Sequence, residues 1–257
     1  MLKIKDVVNI IEDFAPLEYQ LEFDNSGLLY GDLDNEVKGI LVTLDTNVEV
    51  IREAIELGCN MIIEHHPTNF TPLKQFDLTL PTHKALVMAI ANNIAIYSAH
   101  TSVDFTDGGL NDYVAEKLGL KDVSYIGDRT GARIGELITP LALKDVMQLI
   151  SETFNDKHVY SVGDEDSLIK KIAVINGGGG GSIDNVMAAK EAGADVFITS
   201  DFKYHVLRFA KDVNYAIIYF GHYDSEICFI DLISTLMEKN GLKNITHKAK
   251  NCLNPCN

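Results

Sequence analysis

The chain has few basic residues, few cysteines and no long apolar run, and each shortage excludes a class of protein. It contains 22 Lys and Arg against 37 Asp and Glu, which gives a formal net charge of −15. A protein that binds nucleic acid through phosphate contacts needs a positive electrostatic field. We therefore expect no nucleic acid as a main partner.

The chain also lacks the features of a membrane-spanning protein and of a disulfide-stabilised scaffold. The most apolar stretch, 85–97, is interrupted by two asparagines and is shorter than the roughly 20 residues of a membrane span. The charged N-terminus, 1–6, lacks a signal-peptide pattern. The cysteines are too few and too scattered for a disulfide framework or a cysteine-based zinc module; they are Cys59, Cys228, Cys252 and Cys256. We predict a cytoplasmic protein without membrane contact, and no role follows for Cys252 or Cys256.

Runs rich in Ile and Val alternate with longer amphipathic segments, a pattern typical of buried parallel strands covered by helices. This pattern predicts an α/β fold. The expected strands are 39–44, 60–63, 94–98, 171–175, 195–199 and 215–220. The expected helices are 3–14, 47–57, 83–91, 110–118, 142–153, 183–192, 203–211 and 224–239.

The two halves of the sequence resemble each other. Residues 53–66 align without gaps with 188–201, and 93–100 align with 215–222, with a histidine ending each of the latter two segments. Repeats in the same order along a chain indicate duplication of a structural unit. We predict two related α/β lobes with mainly parallel sheets flanked by helices, at 1–126 and 127–257.

Five of the eight histidines fall at or shortly after the end of a predicted strand: His65, His66, His100, His205 and His222. Ligands of an open parallel sheet bind beyond the carboxyl ends of its strands. Pro67 follows the adjacent pair and cannot continue a strand. Past the end of the strand, the rings of His65 and His66 can therefore turn toward two different metal ions.

Two carboxylates accompany these histidines. Asp104 lies four residues after His100 and can supply a bridging oxygen to divalent ions. Glu226 lies four residues after His222, so in a helix both share one face and can chelate one centre. Each feature alone is also typical of a turn, a cap or a solvated face. Together, three imidazoles and two carboxylates are enough for a two-metal site with open positions for water.

Two further segments have less specific meanings. The glycines at 177–181 can cradle an anion or form a sharp turn that lets the lobes pack closely, and we favour the turn. They match neither a Walker loop nor the dinucleotide-binding pattern. Asp201 is well placed to cap the following helix, and His205 four residues later can lie behind a metal ligand or face the substrate.

Five segments resemble, in the same order, motifs of the Nif-three-like family, whose members often carry the name GTP cyclohydrolase I type two homologue. The segments are FDNSGLLYG (23–31), IIEHHPTNF (62–70), YSAHTSVDFTDGGLND (97–112), ITSDFKYH (198–205) and YFGHYDSE (219–226). The resemblance runs from about residue 3 to about residue 240. It implies two interlocked α/β lobes, a toroidal homohexamer, and a dinuclear metal centre between the lobes.

The resemblance also implies roles for individual residues. The family's metal ligands fall on His65, His66, Asp104, His222 and Glu226. Glu226 is a candidate for the bridging ligand, and the choice between it and the other ligands stays open. His100 and His205 match histidines that line the cavity. Tyr204 stands where many relatives have a second histidine, which weakens the case for a metal ligand in that segment. The 257 residues leave no room for the inserted domain of longer members.

We expect a metal-dependent hydrolase acting on a small molecule, such as a nucleotide, another phosphate ester or a cyclic amide. Two divalent ions of zinc, iron or manganese would generate hydroxide and polarise the target bond. His100 or His205 would transfer the proton. Two alternatives stay open: a metal-handling or delivery protein, and a ring-forming regulatory protein without turnover. The residues select neither the metal nor the substrate.

Overall fold

The computed structural model describes residues 1–71 and 73–253, and it confirms the predicted α/β class. The strands are β1 (Gly27–Tyr30), β2 (Ile40–Asp45), β3 (Met61–His66), β4 (Ala95–Ser98), β5 (Lys121–Tyr125), β6 (Arg133–Ala142), β7 (Tyr160–Val162), β8 (Leu168–Val174), β9 (Val196–Thr199), β10 (Ala216–Tyr219) and β11 (Ile245–His247). The α-helices are α1 (Ile4–Phe14), α2 (Val48–Glu56), α3 (Pro81–Ala91), α4 (Thr101–Phe105), α5 (Leu110–Lys117), α6 (Leu143–Phe154), α7 (Ile183–Glu191), α8 (Tyr204–Asp212), α9 (His222–Glu226) and α10 (Cys228–Lys239).

The chain divides into two compact units, and the division differs from the predicted boundary after residue 126. Unit 1 comprises Met1–Thr106 and the chain from Ile227 onward, and unit 2 is Asp107–Glu226. Strand pairing explains the difference. The edge strand β5 pairs with β6 in unit 2, and β11 near the C-terminus returns to pair with β2 in unit 1.

The sheet of unit 1 has the strand order β1-β4-β3-β2-β11. Strands β2, β3, β4 and β11 are parallel, and β1 is antiparallel to β4. The apolar side chains of β2, β3 and β4 are buried, and helices α2 and α3 join them in one core cluster. This sheet is mainly parallel, as the sequence predicts.

The sheet of unit 2 has the strand order β5-β6-β8-β9-β10-β7. Only β8, β9 and β10 are parallel, so this sheet is mixed. Successive side chains of a strand point to opposite faces. Ile172 and Val174 of β8 therefore pack with α5 and α6, whereas Ala173 and Ile175 pack with α7 and α8.

The two units share the topology that the internal alignment predicts. In unit 1, β2, β3 and β4 are adjacent parallel strands in chain order, and an antiparallel strand, β1, flanks the last of them. In unit 2, β8, β9 and β10 have the same arrangement, and β7 is the antiparallel neighbour of β10. Each unit therefore contains the same βαβαβ core, which directs the ends of three parallel strands toward one edge.

The structure also bears on helix length and on the surroundings of the cysteines. Across 1–71 and 73–253, every helix is too short or too polar to cross a bilayer. Cys59 and Cys228 are buried and Cys252 is exposed. Cys256 lies outside the described residues.

Candidate metal centre

Unit 1 brings three histidine rings together at the ends of two neighbouring strands. His65 and His66 are the last two residues of β3, and His100 lies between β4 and α4. The ring centroid of His65 is 4.8 Å from that of His66 and 5.1 Å from that of His100. One nitrogen from each of the three rings lies within 4.8 Å of the other two, so this group can hold a metal ion.

The strand that carries the histidine pair is longer than predicted. We expected it to end at residue 63, with both rings beyond it, but β3 continues to His66 because its pairing with β2 extends as far as Asp45. Pro67 then ends the strand, as predicted. His65 is fully buried, whereas the side chain of His66 is 29% exposed.

In all three rings, Nδ1 is hydrogen-bonded to an oxygen. The pairs are His65 with the carbonyl of Ala99 (2.9 Å), His66 with Oδ1 of Asp45 (2.8 Å) and His100 with Oδ1 of Asp24 (2.8 Å). A carbonyl oxygen or an ionised carboxylate only accepts hydrogen bonds, so Nδ1 carries the proton. The neutral ring then keeps its lone pair on Nε2, which is the arrangement of a metal-ligating histidine.

Asp24 is the buried carboxylate that orients His100. Its Oδ2 accepts hydrogen bonds from the backbone N–H of Thr101 (3.0 Å) and the hydroxyl of Ser26 (2.8 Å), and also from the Thr101 hydroxyl. Burial by itself raises the pKa of Asp24, but the hydrogen bond and charge of His100 and the two hydroxyls together hold it well below its usual range. Asp24 is therefore ionised at neutral pH.

Helix α4 places Asp104 beside the histidines of unit 1. Its Oδ1 lies 3.7 Å from Nε2 of His65, and its side chain is only 12% exposed. This separation is too long for a good hydrogen bond. Two ligands each about 2.1 Å from a tetrahedral ion lie roughly 3.4 Å apart. The distance therefore suits two atoms that share one metal ion.

Unit 2 contributes a histidine and a carboxylate on one helical turn. His222 and Glu226 begin and end α9, and Nε2 of His222 lies 2.8 Å from Oε2 of Glu226. Nδ1 of His222 donates to Oδ2 of Asp201. Burial lowers the pKa of His222, but the hydrogen bonds and charges of Glu226 and Asp201 outweigh burial and raise it to about 9. Without metal this ring is therefore mostly protonated at neutral pH, and a metal ion at Nε2 would replace that proton, since the same carboxylates stabilise either positive charge.

Asp201 is not the helix cap that its position in the sequence predicts. Helix α8 begins at Tyr204, and Lys203 is its N-cap residue. Asp201 has a left-handed backbone with a φ of 53°. An Asp residue tolerates this conformation better than most, and the turn leaves its carboxylate on the His222 ring instead of the helix.

The glycine segment has a steric role at Glu226. Gly177 has a φ of 58°, and a Cβ at this position would lie 2.1 Å from Oε1 of Glu226 and 3.5 Å from Nε2 of His222. Only glycine leaves room for the carboxylate there. Residues 177–181 form a short 3-10 helix, so the chain turns tightly here. The predicted close packing of the lobes at this segment stays a prediction.

His205 belongs to neither group. It lies on the exposed side of α8, and none of the metal-capable groups found within 1–71 and 73–253 includes it. Its predicted role in proton transfer stays a prediction.

The three orienting carboxylates are the residues that the sequence analysis missed or misassigned. Asp45 ends β2 and Asp201 follows β9, so the rule that selected the histidines also applies to them. Asp24 lies in the FDNSG motif, 76 residues before the ring that it holds. No spacing rule connects that pair.

The comparisons with known proteins agree on one family. Residues 2–252 match the model of the family described as Duf34/NIF3 (NGG1p interacting factor 3). A Clostridium acetobutylicum protein named GTP cyclohydrolase 1 type 2 homolog is 38% identical over 244 residues, which cover 92% of this chain and 90% of the relative. A Streptococcus pneumoniae protein of the same name is 33% identical over 241 residues, covering 91% and 89%.

Solved structures share the fold over the whole chain. A hypothetical protein of Staphylococcus aureus has a TM-score of 0.86 and 26% identity, and the match covers 99% of this chain and 98% of that one. A Bacillus cereus protein related to NIF3 has a TM-score of 0.87 over 100% of this chain and 99% of that one. Its identity of 22% makes it similar in fold alone.

Proposed function

Because the chain belongs to the Duf34/NIF3 family and carries metal-capable histidines and carboxylates, we propose that it is a metal-dependent hydrolase. Its substrate is a small molecule: a nucleotide, another phosphate ester or a cyclic amide. The family is shown by the match over residues 2–252, whereas the reaction is our inference from the chemistry of the site.

The observation that supports the proposal most strongly is the common orientation of four imidazoles. His65, His66, His100 and His222 each have Nδ1 bound to a carboxylate or a backbone carbonyl. Such partners fix the tautomer and the ring angle of metal ligands. The imidazole nitrogens and carboxylate oxygens present suit zinc, iron and manganese. The residues therefore fit divalent ions.

We assign the binding of two divalent ions to five residues that would hold them: His65, His66, Asp104, His222 and Glu226. Unit 2 alone offers one imidazole and one carboxylate, fewer than the three protein ligands of a typical catalytic zinc site.

The residues of the chain have separate tasks in this proposal. Bound divalent ions would supply a nucleophile from water at neutral pH and polarise the target bond. Asp45 and Asp201 hold the rings of His66 and His222 in place as ligands. Asp24 holds His100 with Nε2 available, and we assign proton transfer to that atom.

A panel of nucleotides, phosphate esters and cyclic amides tests this function with the metal-loaded wild type and His66→Ala. Loss of a ligand should reduce turnover about 100-fold or more, since loss of an orienting partner alone typically costs 10–100-fold. His158→Ala, an exposed histidine outside the site, is the matched control and should keep wild-type turnover. Unchanged turnover in His66→Ala would refute metal catalysis, and bound metal without any turnover would favour metal handling.

The proposal includes assembly into a toroidal homohexamer, which the family motifs imply. The proposed partners are therefore further copies of this chain and a small-molecule substrate.

A further inference from the structure

Unit 2 has an aromatic pocket that the proposed metal ligands do not use. The pocket has a volume of about 370 Å³ and lies beside β7 and β10, at the edge of the sheet. Tyr160 of β7, Tyr219 of β10 and Phe202 line it, together with the apolar side chains of Val162 and Leu207.

The three rings are arranged to accept a further flat ring. Tyr160 and Tyr219 are stacked, with centroids 6.0 Å apart and planes 24° apart. Phe202 is tilted against Tyr219 with centroids 5.5 Å apart. Tyr160 is 59% exposed, so one of its faces is available to solvent. Covering an exposed aromatic face with an apolar ring is favourable through burial and stacking.

Two of these rings are connected to His222, one through a hydrogen bond of the neighbouring residue and one through a short length of chain. Phe202 directly follows Asp201, whose carboxylate accepts the hydrogen bond from His222 Nδ1. Tyr219 ends β10, three residues before His222. Burial raises the pKa of Tyr219, and the negative charges of Asp201 and Asp156 raise it further. The negative charge of the carboxylate that orients the proposed ligand therefore acts on this phenol.

Size and charge restrict what can occupy this pocket. A volume of about 370 Å³ is at the lower end of the range of roughly 300–1,000 Å³ for ligand pockets, so it suits a ring system better than a whole nucleotide. Asp201 directly precedes Phe202, and Asp156 accepts a hydrogen bond from the backbone N–H of Gly221, two residues after Tyr219. Their negative charges disfavour an anion, so a phosphate group is less suited to the pocket than an uncharged ring.

We infer that this pocket binds the flat, uncharged heteroaromatic ring of the substrate, a ring the size of a purine. The hydrolysable group of the same molecule then extends toward His222. Only the placement of the hydrolysable group rests on the proposed function, because ring binding requires no metal ion.

Binding of adenosine to chelator-treated, metal-free protein tests the pocket by calorimetry. The wild type should bind adenosine and should not bind ribose 5-phosphate, which lacks the ring. Tyr160→Ala and Phe202→Leu should each weaken adenosine binding about tenfold, since stacking on one aromatic side chain is typically worth about 1–3 kcal/mol per base. Tyr204→Ala is the matched control, since this tyrosine is 81% exposed and does not line the pocket.

Tyr160→Ala keeps the test valid if Phe202→Leu disturbs folding, because Tyr160 is mostly exposed. Thermal unfolding of each variant checks this. Absence of adenosine binding to the wild type, or equal binding by Tyr160→Ala and Tyr204→Ala, would overturn the inference. Ring binding that follows the predicted order supports it even where the hydrolase panel shows no turnover, so the two proposals fail separately.

Discussion

Single hydrogen bonds decide what the histidines of this protein can do. An imidazole has two nitrogens, and the acceptor on Nδ1 leaves the lone pair on Nε2. In four rings the Nδ1 hydrogen bond is accepted by a carboxylate or a backbone carbonyl. The acceptors are the carboxylates of Asp24, Asp45 and Asp201 and the carbonyl of Ala99. Residues that need not touch metal or substrate should therefore control the site.

Asp24→Asn tests whether His100 transfers protons or binds metal. The amide removes the negative charge that stabilises a protonated His100. We expect turnover to fall about 10–100-fold while the metal content stays at the wild-type level. Asp45→Asn, behind the proposed ligand His66, is the comparison and should lose metal. Equal metal loss in both variants, measured by elemental analysis, would make His100 a ligand instead.

Gly177→Ala tests the packing of Glu226. The new Cβ would lie 2.1 Å from Oε1, on a backbone with positive φ. We expect the carboxylate to be displaced and part of the bound metal to be lost. The free energy of unfolding should fall by about 1–3 kcal/mol. Gly178→Ala is the matched control, because its Cβ would meet no atom within 4 Å. Equal metal content and melting temperature in both variants would contradict the assigned role of Glu226.

Secondary structure was predictable where a strand is buried on both faces. The six expected strands correspond to β2, β3, β4, β8, β9 and β10. They were recognisable because strands of a covered parallel sheet are buried and therefore have continuous runs of apolar residues. The missed strands lie at or next to sheet edges. All five residues of β5 are exposed, and β7 and β11 have three residues each, so none presents an apolar run.

The candidate site was predictable for a similar reason. Strand ends in a parallel sheet mark it, and the histidines stand at those ends. The partner of each ring comes from another part of the chain: 76 residues separate Asp24 from His100, and 21 separate Asp45 from His66. Only the folded sheet brings these residues into contact, so spacing in the sequence cannot reveal them.

Removal of β11 tests the division into units. This strand pairs with β2 through Ile245 opposite Leu41 and His247 opposite Thr43. A chain ending at Gly241 should show faster hydrogen exchange in β2 and unchanged exchange in β8, the equivalent strand of unit 2. Faster exchange in β8 alone would favour the boundary after residue 126.

The whole molecule is strongly acidic, and the proposed centre explains little of this. Two divalent ions would neutralise four of the 15 excess negative charges. The remaining field attracts cations and repels anions. An anionic substrate would therefore be attracted only where bound metal reverses the local charge, which is consistent with an uncharged ring in the aromatic pocket.

Assembly is a property of the whole molecule that sedimentation can test. We expect a single species with about six times the chain mass of 28.4 kDa. Closed rings of identical chains are a common form of oligomer. A monomer or dimer at micromolar concentration would contradict the proposed hexamer but would leave the assignment of metal ligands standing.

We propose that this chain holds two divalent ions through His65, His66, Asp104, His222 and Glu226. Elemental analysis of anaerobically purified protein tests it most directly, on the wild type and on Glu226→Gln. We expect two ions per chain in the wild type and at most one in the variant. Less than one ion per chain in the wild type, or the same content in both proteins, would contradict it.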